Sequence, residues 1–450
     1  MAPLRVHCAG KGWLTMATDG SADALYHLGV SSDLAPEFSL LEARDLLRVG
    51  QAAFLADRAF RRGRRLGQRT RDLRVVVPVE DPKLWGSLAE RINGLAGFVS
   101  QDRWQFEFVR QSAARMRKRA NPGVGANACV SLFSGGLDSL CGAAAALRRG
   151  DAPIFVTHVP PGGERVAATV AKLREALGPK TPEAGFVGFQ FQASDRTREG
   201  ERSRYPERTR RTRPMLYLCL ARAVALECRV SRIYLNENGV LAINLPFQPH
   251  LNGALVSRHA HPETLRRFES LLREVWDGRE SPAVTNPFAS HTKGEQLAIL
   301  GPALPLAQKT ISCEYAGQQV KRVRGWLKDR RRSYEDVVEC GLCYPCLVRR
   351  AAMRFGGAPE SAGHYAFDVG RSLGSPTGYR DYPLYTFVEP NARDLRDFCE
   401  RMRRLSPSEF VVRYAAQLAL AVESGGGGSK AVYELYRRFA AEAGAILVGK

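Results

Sequence analysis

Val130-Ser131-Leu132-Phe133-Ser134-Gly135-Gly136-Leu137-Asp138-Ser139 is the stretch on which the fold turns. An apolar run, the length of a buried strand, passes into Ser-Gly-Gly-x-Asp-Ser and then directly into a helical pattern. Gly135 and Gly136 let the backbone approach an anion closely and adopt positive φ where needed. The free amides at the start of the following helix point at that anion, and the helix dipole adds to the attraction. Ser134 and Ser139 offer hydroxyl donors. Leu137 and Asp138 open the helix, where a carboxylate is favoured and can hold a magnesium ion that bridges phosphates. Neither the Gly-x-x-x-x-Gly-Lys pattern nor a dinucleotide fingerprint is present. The alternative is an ordinary Gly-Gly turn between strand and helix.

The same rhythm continues on both sides of the loop. Residues 128–133, 153–158, 185–192 and 231–235 read as strands, and 139–149, 164–177 and 214–228 as helices. Such alternation predicts an α/β fold, a doubly wound parallel sheet with helices on both faces. A turn-rich break at 120–125 separates this region from residues 1–120, which read as an α+β domain. There, 72–79 and 104–109 are expected strands, 82–95 is a helix with Asp81 as N-cap, and 40–65 is a helix with an Arg-rich end. Arg58, Arg61, Arg62, Arg64 and Arg65 make that end either a phosphate contact or a solvated face. Residues 121–360 are expected to form the central domain, and 361–450 a helical region with helices at 392–405, 407–422 and 430–445. The Gly-Ser tract at 424–429 predicts a flexible coil that packs against nothing, like an engineered linker in place of a loop.

Ten cysteines are present. Cys8, Cys129, Cys141, Cys219, Cys228 and Cys399 are scattered among apolar neighbours and read as small buried hydrophobes. Cys313 and the run Cys340-Gly341-Leu342-Cys343-Tyr344-Pro345-Cys346 can bring four thiolates to one tetrahedral zinc. The competing iron–sulfur reading wants a fourth cysteine three residues on, where Arg350 stands. A disulfide is disfavoured in a reducing compartment.

The 450 residues are 44% apolar and 25% charged, ordinary for a globular protein. Sixty-six Lys and Arg against 46 Asp and Glu leave a charge of +20. That excess suits a polyanionic partner such as nucleic acid, and it equally suits a coding bias toward Arg. The first twenty residues show no signal-peptide pattern, and no apolar run approaches the roughly 18–20 residues of a membrane span. The expectation is a cytoplasmic protein without a membrane partner.

With these residues in view, 134–139 resembles the pyrophosphatase loop of the PP-loop ATPases. Such enzymes break ATP between the α and β phosphates and attach AMP to a substrate oxygen. The loop followed by Cys313, Cys340-Gly-x-Cys343-x-x-Cys346 and Arg349 resembles the QueC family of 7-cyano-7-deazaguanine synthases. Asn286-Pro287-Phe288 and Thr292-Lys293-Gly294-Glu295 match a further segment of that family. The resemblance covers residues 126–356. It implies ATP, Mg2+ and Zn2+ as cofactors, with a zinc knot, and 7-carboxy-7-deazaguanine as substrate. The carboxylate would be adenylated and then attacked by ammonia to give an amide or nitrile. Asp138, Lys293 and Arg213 become the candidate catalytic residues, and Arg210, Glu237, Asn238 and Arg349 the candidate substrate contacts. For Arg210 and Arg213 surface charge is the rival reading, since Arg202, Arg204, Arg208 and Arg211 crowd the same stretch. Residues 1–120 and 361–450 exceed the family's usual length, and 235–239 departs from its usual segment. Extended QueC-like proteins of anti-phage operons, the QatC-like group, share that architecture. The likeness implies a defence role and a partner protein as acceptor of the activated carboxylate. A PP-loop enzyme of tRNA modification and a non-catalytic nucleotide sensor are the competing expectations.

Overall fold

The computed structural model describes residues 4–16, 26–30, 38–63, 69–111, 124–159, 164–178, 186–193, 207, 211–247, 258–275, 282–313, 339–341, 343–360, 364–366, 385–425 and 427–447. The fold is α/β with two sheets. The smaller one contains β1 (Leu4–Cys8), β2 (Gly12–Met16), β4 (Asp72–Val79) and β5 (Arg103–Arg110) in the order β2-β1-β4-β5. The larger one adds β3 (Tyr26–Val30), β6 (Ala128–Leu132), β7 (Ala152–Val159), β8 (Phe186–Ala193), β9 (Arg232–Tyr234) and β10 (Ala283–Thr285). Its order is β10-β9-β6-β7-β8-β3. All neighbours in it are parallel except β3, which runs antiparallel along β8.

The parallel sheet is covered on both faces, and the pleat shows why. Val130, Ile154 and Val156 join the core beneath α1 (Leu41–Ala59) and α6 (Arg213–Glu227). Phe155 points the other way, into a second core with Phe133, Leu137, Leu140 and Val170. That core includes residues of α4 (Leu137–Arg148) and α5 (Glu164–Leu177). Alternate residues of one strand therefore feed opposite layers. Helices α1 and α6 pack so closely that a Cβ on Gly50 would lie 2.7 Å from Cys219 Cβ. Through α1 the smaller sheet and the parallel sheet share one apolar core, which crosses the expected boundary near 120.

Several local expectations meet a different outcome. The expected helix at 82–95 is two helices, α2 (Pro82–Ser87) and α3 (Ala89–Ser100), interrupted at Leu88. Asp81 does cap the first, accepting the Leu84 amide at 3.1 Å. Arg62 is neither a phosphate contact nor a solvated residue. It is buried and paired with Asp57 and Asp102, which also hold the buried Arg71. Arg64 and Arg65 lie outside the described residues. The Gly-Ser tract is likewise not a free coil along its described length. Ser424 donates to Glu263, the Gly425 amide closes onto Val422 O at 3.1 Å, and Val432 N–H bonds Gly428 O. Gly425 and Gly427 take φ of +84° and +86°, so glycine is what the turn requires.

Beyond α7 (Gly239–Ile243), α8 (Pro262–Val275) and α9 (Lys293–Ala298) comes a 3-10 helix at Gly301–Lys309. It is followed by α10 (Tyr344–Phe355), α11 (Tyr385–Arg404), α12 (Pro407–Arg413), α13 (Ala415–Glu423) and α14 (Ser429–Leu447). The last four pack onto the cysteine cluster. Cys313, Cys340, Cys343 and Cys346 share a core with Leu395, Phe398, Phe410, Tyr436 and Phe439.

Candidate functional site

Strand order reverses beside β6. From β6 the chain adds β7 and β8 on one side and later β9 and β10 on the other. The crevice at the carboxyl ends of strands on either side of such a switch is where open α/β sheets bind ligands. The Gly-Gly loop leaves β6 at this point, and residues 237–238 leave β9 beside it.

Gly135 has φ +77° and accepts from the Ile311 amide at 3.1 Å. A side chain there would be strained, and its Cβ would meet Val170 Cγ2 at 3.2 Å. Gly136 is the N-cap of α4, and no side chain caps that helix. Ser139 Oγ donates to Gly136 O at 2.8 Å, and Ser134 Oγ accepts from the Gly136 amide at 3.3 Å. Ser134 is exposed, while Ser139 is buried. The first amides of this twelve-residue helix thus have no side-chain cap, and uncapped amides at a helix start are what an anion site uses.

Asp138, in the first turn of α4, meets groups brought from two other strand ends. The Lys293 ammonium pairs with its Oδ2, and Asn238 Nδ2 donates to its Oδ1 at 3.0 Å. The same Asn238 amide donates to Glu237 Oε1 at 3.0 Å, so one NH2 group bridges two carboxyls. Asn238 Oδ1 accepts from the Leu241 amide and caps α7. Burial, and then the Asp138 charge, push the Glu237 carboxyl up to about 8. Burial alone would depress Lys293, but Asp138 and Glu237 outweigh it and hold the ammonium above its ordinary value. Asp138, Lys293, Glu237 and Asn238 are therefore assembled in one cluster. Asp138 and Glu237, joined through Asn238, are two carboxyls that could hold a magnesium ion, which takes one or two carboxylates and leaves its other positions to phosphate and water.

Arg213 starts α6, which covers the face of the sheet opposite α4, and its charge still reaches Glu237, where it opposes the upward shift. Its Nε donates to His259 Nε2 at 3.3 Å, and its guanidinium lies 5.7 Å from the Tyr217 ring centroid. Burial and the adjoining Arg213 cation hold His259 well below its ordinary value, hence neutral. Arg210 lies outside the described residues. Arg349 is 1% exposed, and its guanidinium is engaged by Thr310 Oγ1, Ala307 O, Tyr365 OH and Glu339. Those partners make it an internal strut between α10 and the segment leading to the cysteine cluster. The resemblance made Arg349 a candidate substrate contact, and in this structure these four partners hold it inside the protein.

The four clustered cysteines converge. Their sulfurs all lie within 4.8 Å of one another, and all four residues are buried. Cys340–Cys346 and Cys343–Cys313 sulfurs are 3.8 Å apart, and Cys343–Cys346 are 3.3 Å apart. A tetrahedron with zinc–sulfur bonds of about 2.3 Å has edges of about 3.8 Å. Backbone amides of Cys340 and Cys343 donate to Cys313 Sγ at 3.4 Å and Cys340 Sγ at 3.3 Å, as thiolate ligands need. Burial raises the Cys343 and Cys346 thiols well above their ordinary value, so a cation is what would let thiolates gather here. The group could hold a metal such as zinc. The six other cysteines are buried, as their apolar neighbours predicted.

The sequence marked the segments of Asn286 and of Thr292–Glu295 without their roles, and it did not mark Glu442 at all. Asn286 holds Glu237 by both peptide groups, donating to its O at 2.8 Å and accepting from its N–H at 3.3 Å. Thr292 and Glu295 form a reciprocal capping box around Lys293, a Thr-x-x-Glu signal that was present to be read. Glu442 accepts from the Gly294 amide and carries no local signal at all.

No protein-family model, curated protein or solved structure matches the chain. Among the described residues no helix is long and apolar enough to cross a membrane.

Proposed function

We propose that this chain is an ATP-dependent, AMP-forming ligase of the PP-loop class that activates a carboxylate by adenylation. One observation carries the reading. An uncapped Gly-Gly helix start lies at the strand-order switch, with Asp138, Lys293, Glu237 and Asn238 converging beside it. The loop amides and Ser134 would bind the departing pyrophosphate, where preorganised donors stabilise charge as it develops. Lys293 would neutralise charge on the phosphates or the substrate carboxylate. Asp138 and Glu237 would hold Mg2+, which supplies charge neutralisation to the polyphosphate. The carboxylate oxygen attacks the α-phosphorus as the bond to pyrophosphate breaks. An amine then attacks the acyl carbon, and AMP leaves with its oxygen. Zn2+ in the four-thiolate site would have no open position and so a structural role.

The substrate rests on the resemblance of the loop and the cysteine pattern to QueC, and the setting on the likeness of the extended architecture. They are 7-carboxy-7-deazaguanine, an ammonia or partner-protein amine as acceptor, a cytoplasmic location and a part in anti-phage defence. Mass spectrometry of protein, ATP, Mg2+ and this carboxylate, with and without ammonium, tests them. AMP with an amide or nitrile is the expected result, lost in Asp138→Asn. AMP without a free product assigns the acceptor to a protein. No AMP with this carboxylate overturns the substrate. The +20 charge then makes salt-dependent tRNA binding the next measurement.

A further inference from the structure

Helix α14 lies far from the Gly-Gly loop in sequence. Its apolar stripe of Tyr436, Phe439, Ala440, Ala443 and Leu447 follows helical spacing and fills the core around the cysteine cluster. Three polar side chains of the same helix serve another purpose. Tyr436 OH donates to Val240 O and accepts from the Leu245 amide, both at 2.8 Å, so it brackets α7 just after Glu237 and Asn238. Arg438 reaches Glu295 Oε1 at 2.7 Å and Ser290 O at 2.8 Å. Glu442, only 2% exposed, presents both oxygens to the Gly294 amide, at 3.1 and 3.2 Å.

Three backbone amides around Lys293 are held by these contacts. Thr292 N–H goes to Glu295, Glu295 N–H to Thr292 Oγ1, and Gly294 N–H to Glu442. A Cβ on Gly294 would stand 2.6 Å from Glu442 Oε2, so only glycine admits the carboxylate. A carboxylate buried in a packed helix is costly, and Leu or Ala would fill the position without that cost. What Glu442 gains in return is a fixed backbone beside Lys293.

We propose that Glu442 is a positioning residue for Lys293, and that α14 clasps the two segments carrying Lys293 and the Glu237–Asn238 pair. The inference rests on the reading of Lys293 as a site residue, and its test has one arm independent of that reading. Amine acylation, followed by peptide mass spectrometry, reads how firmly Lys293 is held, with Lys11 and Lys309 as internal controls. Glu442→Ala is expected to speed Lys293 labelling about tenfold relative to the controls, with Glu442→Gln close to the wild type. In the AMP assay Glu442→Ala should lower kcat about 10- to 100-fold with KM for ATP within about twofold. Arg438→Ala, at a half-exposed side chain, should move both readouts the same way by less, and it decides the matter if Glu442→Ala does not fold. Unchanged Lys293 labelling in the variants overturns the proposal. So does equal acceleration at every lysine, which would show general loosening. If the wild type forms no AMP, the proposed function fails while the labelling arm still decides the clasp.

Discussion

Glu237→Gln is expected to stabilise the ligand-free protein in mild alkali and to leave it nearly unchanged in mild acid. Burial and the Asp138 charge displace the Glu237 carboxyl from an ordinary 4.5 up to about 8 in the folded chain. Between those values the unfolded chain has lost a proton that the folded chain keeps. The unfolded state then binds fewer protons, so stability falls as pH rises through the window and levels off above the folded value. Gln imitates the protonated carboxyl, still accepts from Asn238, and removes the dependence. At about 1.4 kcal/mol per unit the full displacement would reach about 4–5 kcal/mol. Glu237 keeps partial exposure and Lys293 opposes the shift, so a gain of about 1–3 kcal/mol is expected at the alkaline end. Urea denaturation of both proteins at about pH 5 and about pH 8 measures it, and the difference between them cancels other titrating groups such as Glu442. An equal gain at both pH values, or a loss at the higher one, would refute the reasoning.

The remaining predictions concern the supports of the site. Purified protein should carry about one equivalent of zinc by elemental analysis, and Cys343→Ser should lose it together with helical signal in circular dichroism. Asp57→Ala leaves Arg62 and Arg71 buried with Asp102 as their remaining carboxylate, and should cost about 3–5 kcal/mol in urea denaturation. Burial alone would raise Asp57, but Arg71 and Arg62 outweigh it and hold the carboxyl below its ordinary value. Its contribution is therefore complete above the ordinary carboxyl range and lost as pH falls through the lowered folded value.

What the sequence revealed and what it hid follow from distance along the chain. The strand, Gly-Gly turn and helix of 130–148 are contiguous, and steric permission at Gly135 is a local property. The cysteine cluster is legible because two-residue spacing alone nearly builds the site. The parallel sheet is legible because strands such as 152–159 are apolar on both faces. Arg62 was misread for the opposite reason, and the buried partners of Arg349 were hidden by it too. A guanidinium's fate depends on whether acids such as Asp102 or Glu339 arrive beside it, and its own neighbours in sequence do not say so. Glu442 sits 148 positions from the amide it holds, and nothing in its surrounding helix marks it. The Gly-Ser tract misled because composition reports freedom in the unfolded chain, while Ser424 is tied down by a distant Glu263.

The contacts of α14 also bear on when, during synthesis, the cluster can be completed. The loop of 134–139, the Glu237–Asn238 pair and Lys293 all leave the ribosome well before residues 429–447. At ordinary elongation rates the delay is on the order of ten seconds. Throughout that interval Gly294 and the ends of α7 lack the partners that fix them in the finished protein. A chain halted before residue 429 would present a nearly whole parallel sheet whose crevice is unbraced on one side. A nucleotide meeting such a nascent chain would find the loop formed and the lysine not yet held in place.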